Sequence, residues 1–253
     1  MSKTILAVET STAACSVALI YQSKLYQRYE VLPQKHAHRL LEMVSEVMDE
    51  SKLNGSSIDL LAYGEGPGAF TGVRIAAGVI QGLALGWDKA VVAVSSLEAM
   101  AESVLTTQRQ VFLENGDHDN VGQPEITWCA IMDARMKEVY LQSGVYNSQT
   151  GYLKSDSIEL LSPEAAEARI VDLGTECIGL GDVQKEYPGL VELFSDWTDT
   201  LPSATSIAKL ALNSQQEAKH LAEKVPVPLY LRNHVADTIA ERKLKRVNNA
   251  VEQ

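Results

Sequence analysis

The residues best suited to bind a phosphate group are Thr10 and Ser11, which directly follow a short apolar segment that predicts a strand. Glu9 precedes them, and Asp133 holds the matching position after an apolar segment in the second half of the chain. Hydroxyl groups can donate to phosphate oxygens, but no glycine follows either carboxylate to bring backbone N–H groups close to a ligand. We therefore favour a strand turn stabilised by its own hydroxyl groups over a phosphate site.

A glycine-rich run with the sequence GEGPGAFTGVRI is the most informative motif of the chain. Gly64, Gly66 and Ala69 match the G-x-G-x-x-A pattern of dinucleotide-binding loops, and Asp88 lies near the position of the later acid. The match is weak because the run follows the fourth predicted strand, and because Pro67 removes an N–H group where a phosphate needs one. The absence of a G-K-[ST] motif excludes a P-loop.

Histidine and cysteine, which are common metal ligands and nucleophiles, form no recognisable site in the sequence. The five histidines include no His-x-x-x-His pair and no HExxH motif, and His36 and His38 would lie on different faces of a helix. The three cysteines are far apart and form no CxxC pair, which is typical of reduced thiols in a cytoplasm. We predict no catalytic residue and no metal site in this chain.

The glycine-rich run leads into a predicted helix over residues 70–85 that has two unlike faces at about 100° per residue. The face expected to pack on a sheet carries Val73, Ala76, Ile80, Leu83 and Trp87. The opposite face carries a glycine stripe of Gly78, Gly82 and Gly86. Because an interior glycine costs a helix about 1 kcal/mol relative to alanine, a close contact must offset the stripe. Either the chain's own helix near 36–51 or another subunit could cover it, and the helical wheel leaves both open.

Arg74 lies at the N-terminal end of the glycine stripe, which Ile75 and Leu85 flank. A cation in an early turn of a helix opposes the helix dipole and therefore suggests an anionic partner. That partner is a carboxylate of another subunit, a phosphate, or simply Glu65, and the sequence does not choose among them.

The composition restricts the classes of partner. The chain has 253 residues, 45% of them hydrophobic, and a formal net charge of -11. Such a charge disfavours tight, direct binding of nucleic acid, which usually needs a basic face. We expect neither a signal peptide nor a membrane span, because no uninterrupted apolar run is long enough to cross a bilayer.

The order of predicted elements indicates an internal duplication. The first copy reads as strands at 4–8, 16–21 and 24–31, a helix at 36–51, a strand at 58–63, a helix at 70–85, a strand at 90–94 and a helix from 96. The second reads as strands at 126–132, 138–145 and 152–161, a helix at 163–173, strands at 176–180 and 190–194, and a helix at 203–221. We predict an N-terminal subdomain at 1–105, a linker at 106–125, a C-terminal subdomain at 126–221 and a tail at 222–253.

Two βββαβαβα copies, each with an acid at the end of its first strand, follow the plan of the actin-like ATPase and sugar-kinase fold, which is ribonuclease H-like. In that fold the two carboxylates face a cleft between the subdomains and help to hold a nucleotide and its metal. The resemblance therefore implies a cleft formed by Glu9, Thr10, Ser11, Asp133, Gly179 and Gly181. We expect this cleft to be vestigial and ATP hydrolysis to be weak or absent, since neither acid is followed by a glycine.

Several motifs resemble a specific family, that of the TsaB proteins. They are ILAVETSTAACSVAL, GEGPGAFTGVRIA, AVSSLEAMA, DARMKEVY and PLYLRN. The resemblance is dense over residues 3–103, patchier over 126–182, and returns at 226–233. The family usually opens with Asp where this chain has Glu9, which is a mild departure.

The resemblance implies a scaffold role in making threonylcarbamoyladenosine in tRNA. TsaB proteins pair with the catalytic paralogue TsaD, or with themselves when it is absent. With the TsaE ATPase they support transfer of a threonylcarbamoyl group to N6 of an adenosine beside the anticodon, touching tRNA only indirectly. This chain would need no cofactor of its own, with ATP or ADP at the cleft or the subunit junction. The interface implied by the family's two contacting helices comprises Leu40, Arg74, Gly78, Gly82, Leu85 and Gly86.

Two other functions stay open. A free-standing actin-fold ATPase or sugar kinase would turn over ATP and lose that activity in an Asp133→Ala variant. A homodimeric interaction protein unrelated to tRNA would leave tRNA modification normal after its deletion.

Overall fold

The computed structural model describes residues 3–32, 35–114 and 125–232, which form two mixed β-sheets with helices on their faces. The first half forms β1 (Ile5–Glu9), β2 (Ala14–Tyr21), β3 (Lys24–Val31), α1 (His36–Ser51), β4 (Leu60–Gly66), α2 (Phe70–Trp87), β5 (Val91–Ser95) and α3 (Ser96–Glu114). The second half forms β6 (Glu125–Arg135), β7 (Glu138–Asn147), β8 (Tyr152–Ser155), β9 (Glu159–Leu161), α4 (Pro163–Leu173), β10 (Ile178–Gly181), α5 (Pro188–Val191), β11 (Asp196–Asp199) and α6 (Ala204–Asn213).

The two sheets have the same topology. The first has the strand order β3-β2-β1-β4-β5, in which β1 is antiparallel to β2 and parallel to β4. The second has the order β11-β10-β6-β7-β8, in which β6 is antiparallel to β7 and parallel to β10, while β9 also pairs with β7. This repeat confirms the predicted α/β class and the duplicated actin-like fold.

Each central strand is buried on both faces, which explains its continuous run of apolar residues. In β1, Leu6 and Val8 pack against α1 and α2 on one side of the sheet. Ile5 and Ala7 pack on the other side, against α6.

The last helix of each half packs on the sheet of the other half. Along α3, Leu97, Met100 and Leu105 pack into the core of the second sheet, beside Trp128. In return α6 packs on β1 and β2 of the first sheet, and the backbone N–H of Ala204 donates to Ser16 Oγ at 2.9 Å. The predicted boundaries of the two subdomains, at residues 105 and 126, therefore stay a prediction. They divide the chain by sequence, whereas each hydrophobic core is built from both halves.

Three predicted elements of the second half are wrong in detail. The strand at 152–161 is two strands, because residues 156–158 lie opposite only two residues of β7, which breaks the ladder. Residues 190 and 191 of the predicted strand at 190–194 instead end α5, which Pro188 starts at a favourable first position, and the strand comes later as β11. The last helix ends at Asn213 rather than near residue 221. Just beyond that end, Gln215 Nε2 donates to Leu212 O at 2.7 Å.

The predicted linker at 106–125 is also partly wrong, because α3 continues to Glu114. Residues 115–124 of that linker lie outside the described residues, as do residues 233–253 of the predicted tail.

Residues 219–232, which we call the C-terminal strap, tie the two halves together. Lys219 pairs with Val91 of the edge strand β5. Further along, the backbone N–H of Leu229 donates to Glu65 O at 2.8 Å. At its end Arg232 binds Glu138 and the carbonyl oxygen of Ala134 in the β6–β7 hairpin.

Candidate functional site

The turn after β1 is filled by the glycine-rich run. Thr10 Oγ1 donates to Gly72 O at 2.8 Å, and the backbone N–H of Ala69 donates to Ser11 O at 2.7 Å. A Cβ atom at Gly72 would lie 2.0 Å from Thr10 O, and one at Gly68 would lie 2.3 Å from Ser11 O. Glycine is therefore required at both positions for the close approach. The hydroxyl-bearing residues Thr10 and Ser11 are buried beneath the chain itself and do not line an open nucleotide cleft.

Glu9 is completely buried at the end of β1, which is a further departure from the predicted cleft. It accepts hydrogen bonds from the backbone N–H of Ser11 and from Ser96 Oγ, the latter at 2.8 Å. A Cβ atom at Gly64 would lie 1.7 Å from Glu9 Oε2, so no space remains around the carboxyl group. Burial raises the pKa of Glu9, and its hydrogen bonds partly oppose that rise. The side chain joins β1 to the start of α3.

In the second half, Asp133 lies close to a carboxylate that sequence reasoning missed, Asp182. The backbone N–H of Asp133 donates to Asp182 Oδ1 at 3.1 Å, while Arg135 Nη1 lies 3.0 Å from Asp133 Oδ2. Burial raises the pKa of Asp182 to about 6, and the nearby negative charge of Asp133 adds to the rise. The signal for Asp182 is its place one residue after β10, where the chain leaves the sheet beside β6.

Gly179 and Gly181, which were predicted to help form the cleft, are buried for reasons of packing. A Cβ atom at Gly179 would lie 2.5 Å from the ring of Phe194, and one at Gly181 would lie 1.9 Å from Ile131 O. Gly181 also has a φ of +155°. The fold thus accounts for both glycines without a nucleotide.

Asp182 should make stability depend on pH. Its pKa is about 6 in the folded protein against 3.8 for the free side chain, so the folded state holds its proton more tightly. Stability from this group is full below pH 3.8 and is lost as the pH rises through 6, at a cost of about 2–3 kcal/mol. We expect Asp182→Asn to raise the free energy of unfolding by about that amount at pH 7.5, and by little near pH 4.

Urea unfolding at the two pH values measures this difference. The exposed Asp49→Asn is the control and should change the free energy of unfolding little at either pH. An equal effect of Asp182→Asn at both pH values would contradict the assignment.

The glycine stripe on α2 is bare in the described part of the chain. A Cβ atom built at Gly78, Gly82 or Gly86 meets no described atom within 4 Å. Leu85 beside them is 76% exposed. The helix α1 therefore does not cover the stripe, contrary to the first of the two explanations.

One predicted interface residue is wrong, because Leu40 is fully buried in the core between α1 and the first sheet. Its neighbour Leu41 is the exposed leucine of α1, at 53%. The two lie a single helical step apart, and the sequence alone did not show which of them faces the first sheet.

Arg74 is held between two aromatic rings rather than by Glu65. The guanidinium carbon lies 3.2 Å from the ring centre of Phe70 and 5.2 Å from that of Tyr230 in the strap. Both aromatic residues are more than half exposed. Sequence reasoning missed Phe70 and Tyr230; the signal for the latter was its place in the PLYLRN motif.

A cavity beneath the strap could also admit a ligand. It has a volume of ≈ 210 Å³, below the roughly 300–1,000 Å³ usual for ligand sites. Its lining includes Glu65 and Lys224; burial raises the pKa of Glu65, and the charge of Lys224 opposes the rise. Among the described residues no group of three or more His, Cys, Asp or Glu side chains could hold a metal.

The helix α2 is long and apolar enough to cross a membrane by length and composition, with a mean hydropathy of 1.2. Its apolar character has a local explanation, since one face packs on the first sheet and the other carries the glycine stripe with Leu85.

Comparison with known proteins gives consistent matches. The family model for TsaD, tRNA N6-adenosine threonylcarbamoyltransferase, matches residues 21–159. The tRNA threonylcarbamoyladenosine biosynthesis protein TsaB of Escherichia coli is 34% identical, with 92% of this chain and 96% of that protein covered. TsaB of Haemophilus influenzae is also 34% identical, with 92% and 94% covered.

Among solved structures, YeaZ from Pseudomonas aeruginosa is 36% identical and superimposes with a TM-score of 0.69, covering 90% of this chain and 100% of that one. Identity at this level along almost the whole of both chains, between proteins of one fold, makes this chain a member of the TsaB family.

Proposed function

We propose that this chain is a non-catalytic subunit of the system that makes threonylcarbamoyladenosine in tRNA, and that it acts by dimerising with the TsaD-type catalytic subunit. The observation that carries the proposal is the bare glycine stripe of α2. Three exposed glycines lower the stability of a helix, and no described atom lies close enough to them to compensate. A second helix packed against the stripe would supply that compensation. Membership of the TsaB family supports the choice of pathway.

The filled turn after β1 supports the non-catalytic part of the proposal. Thr10 and Ser11 are buried under the glycine-rich run, and Glu9 is enclosed, so these groups are unavailable to a nucleotide. The chain needs no cofactor of its own in this proposal, and ATP or ADP bind at the subunit junction. The protein works in the cytoplasm, where its three buried, unpaired cysteines stay reduced.

The charge of the chain supports an indirect role toward tRNA. With a net charge of -11, the chain would repel a phosphate backbone, so the basic surfaces of its partners would hold the tRNA. The TsaE-type ATPase completes the assembly, and in the absence of the TsaD-type subunit the stripe pairs with a second copy of this chain.

Native mass spectrometry of this chain, mixed with the TsaD-type protein of the same organism, tests the proposal. We expect a one-to-one heterodimer that replaces any homodimer, because the heterodimer covers the same stripe. The absence of a heterodimer, with and without nucleotide and the TsaE-type ATPase, would contradict the proposal. ATP turnover by the chain alone that is lost in Asp133→Ala would then favour the ATPase or kinase alternative.

A further inference from the structure

The outer edge of β3 is the longest open strand edge in the described part of the chain. The opposite edge strand of the same sheet, β5, is met by the C-terminal strap, where Lys219 pairs with Val91. In the second sheet the edge strands β8, β9 and β11 have four residues or fewer, whereas β3 has eight. Short or covered edges protect a sheet from pairing with another chain, and within the described residues β3 is neither.

The turn before β3 decides which of its backbone groups point outward. Gln22 and Ser23 both have a positive φ, of 49° and 63°, as in the type I′ turn that joins antiparallel strands. Tyr21 and Lys24, which flank this turn, are therefore a hydrogen-bonded pair, and every second residue of β3 after Lys24 likewise bonds to β2. No backbone group in the described ranges bonds to the alternate residues, whose N–H and C=O groups point outward. These are Leu25, Gln27, Tyr29 and Val31.

The side chains of the same four residues are exposed on the face of the sheet that α6 covers. Leu25 is 40% exposed, Tyr29 47% and Val31 55%. Gln27 lies among them and accepts a hydrogen bond from Thr205 Oγ1 of α6 at 2.8 Å. Three large apolar side chains beside an unpaired backbone edge favour the addition of another strand.

We propose that β3 pairs with β3 of a second copy of this chain, antiparallel and about a two-fold axis through Gln27, so that the two first sheets become one continuous sheet. This register places Lys24 of each copy opposite Glu30 of the other. Lys24 makes no ion pair among the described residues and lies only over the ring of Tyr26. Glu30 is bonded to Arg39 through Oε1 alone, which leaves Oε2 for the lysine of the second copy.

Other symmetric registers match the charges less well. Because only alternate residues point outward, the two-fold axis passes through a residue rather than between two. A centre at Arg28 sets two arginines opposite each other, and one at Tyr26 sets Lys24 opposite Arg28; like charges in these positions destabilise a pair. A centre at Tyr29 leaves Lys24 beyond the end of the other strand. The charges therefore select the register centred on Gln27.

The helices leave room for two sheets to meet at this edge. On one face α1 packs mainly on β2, so α1 and its copy would lie two to three strand spacings apart. That distance is about 10–14 Å, no closer than the 8–10 Å at which helices pack. On the other face α6 packs on β1 and β2, farther from the edge. The space between the two copies of α6 would be filled by Leu25, Tyr29 and Val31 of both chains, which removes these apolar side chains from water.

This surface is separate from the glycine stripe. The helix α2 packs on β4 and β1, so pairing at β3 leaves α2 open. The inference therefore does not rest on the proposed function. Two copies joined at β3 could each carry one TsaD-type subunit, which keeps the ratio of the two chains at one to one.

Sedimentation equilibrium of the Gly82→Leu variant, in which a leucine side chain blocks the stripe, tests association through β3. We expect a concentration-dependent dimer. Adding Gln27→Pro should weaken dimerisation about tenfold or more, because it removes the two central hydrogen bonds across the axis, while edge strands tolerate proline. Gln27→Ala is the matched control, since it also loses the contact with Thr205 but keeps the N–H group, and it should dimerise as its parent does. Lys24→Glu should weaken the dimer by bringing two acids together.

Cysteine cross-linking in the otherwise unmodified chain tests the register. Gln27→Cys places two Cα atoms about 5.5 Å apart across the axis, which suits a disulfide, and the three native cysteines are buried. Val31→Cys is the exposed control, because its two copies would lie eight residues, or about 27 Å, apart. We expect diamide to cross-link only the first variant rapidly. A folded but purely monomeric Gly82→Leu variant, equal dimerisation with Gln27→Pro and Gln27→Ala, or equal cross-linking of the two cysteine variants would each overturn the inference.

Discussion

Gly82→Leu should abolish association with the TsaD-type subunit, or weaken it by more than about a hundredfold, while the variant monomer remains folded. A leucine side chain on the glycine stripe would hold the partner helix away from the α2 backbone along its whole length. The same change should raise the stability of the monomer by about 0.5–1 kcal/mol, because leucine favours helix and Cβ meets open space at this position. Binding should therefore fall while the stability of the monomer rises. A misfolded variant would lose both, so the two measurements together distinguish a blocked interface from misfolding.

Sedimentation velocity and thermal unfolding measure the two effects. Gly189→Ala is a matched control, since Gly189 is also helical and open, but lies in α5 away from the stripe. A folded Gly82→Leu variant that binds the TsaD-type subunit at wild-type strength would refute the assignment of α2 as the interface.

Gly72→Ala should be among the most destabilising single substitutions in the protein, costing more than about 4 kcal/mol. Its Cβ atom would lie 2.0 Å from Thr10 O, which is backbone and cannot rotate away. To accept the methyl group, α2 must move off the turn after β1 and break the hydrogen bond from Thr10 Oγ1. For a chain of this size the loss corresponds to a fall in melting temperature of roughly 8–16 °C.

Gly78→Ala is the matched control, because it adds the same methyl group to the same helix six positions later, where no described atom lies within 4 Å. It should stabilise the monomer by about 1 kcal/mol. Equal melting temperatures for Gly72→Ala and the wild type would show that α2 moves freely from the turn, which would contradict a tightly filled site.

The first half of the fold could be predicted because each element there has a clear period or boundary. The apolar spacing along α1 and α2 and the glycines between β4 and α2 are local signals, and the predicted ends differ from the observed ones only slightly. The second half was less accessible. The segment containing Leu190 is apolar enough for either a strand or a helix, and Pro188 decides in favour of the helix.

The exposed face of the candidate interface could be predicted from the sequence, but the placement of its individual side chains could not. The wheel identified the glycine face of α2, since its exposure follows from the opposite face packing on the sheet. It could not distinguish Leu40 from Leu41, which needs the crossing of α1 over the first sheet. Nor could it place Tyr230 beside Arg74, because 156 residues separate them in sequence and only the path of the strap brings them together.

The exchange of α3 and α6 between the sheets has a consequence for how the protein is made. The first sheet lacks one of its two covering layers until Ala204 to Asn213 have left the ribosome, because α6 packs directly on β1. At a translation rate of about 5–20 residues per second, roughly 10–40 s separate the synthesis of β1 from that of α6. Neither half can therefore complete its core alone, so the nascent chain exposes apolar surface of the first sheet until α6 has been synthesised and can pack on it.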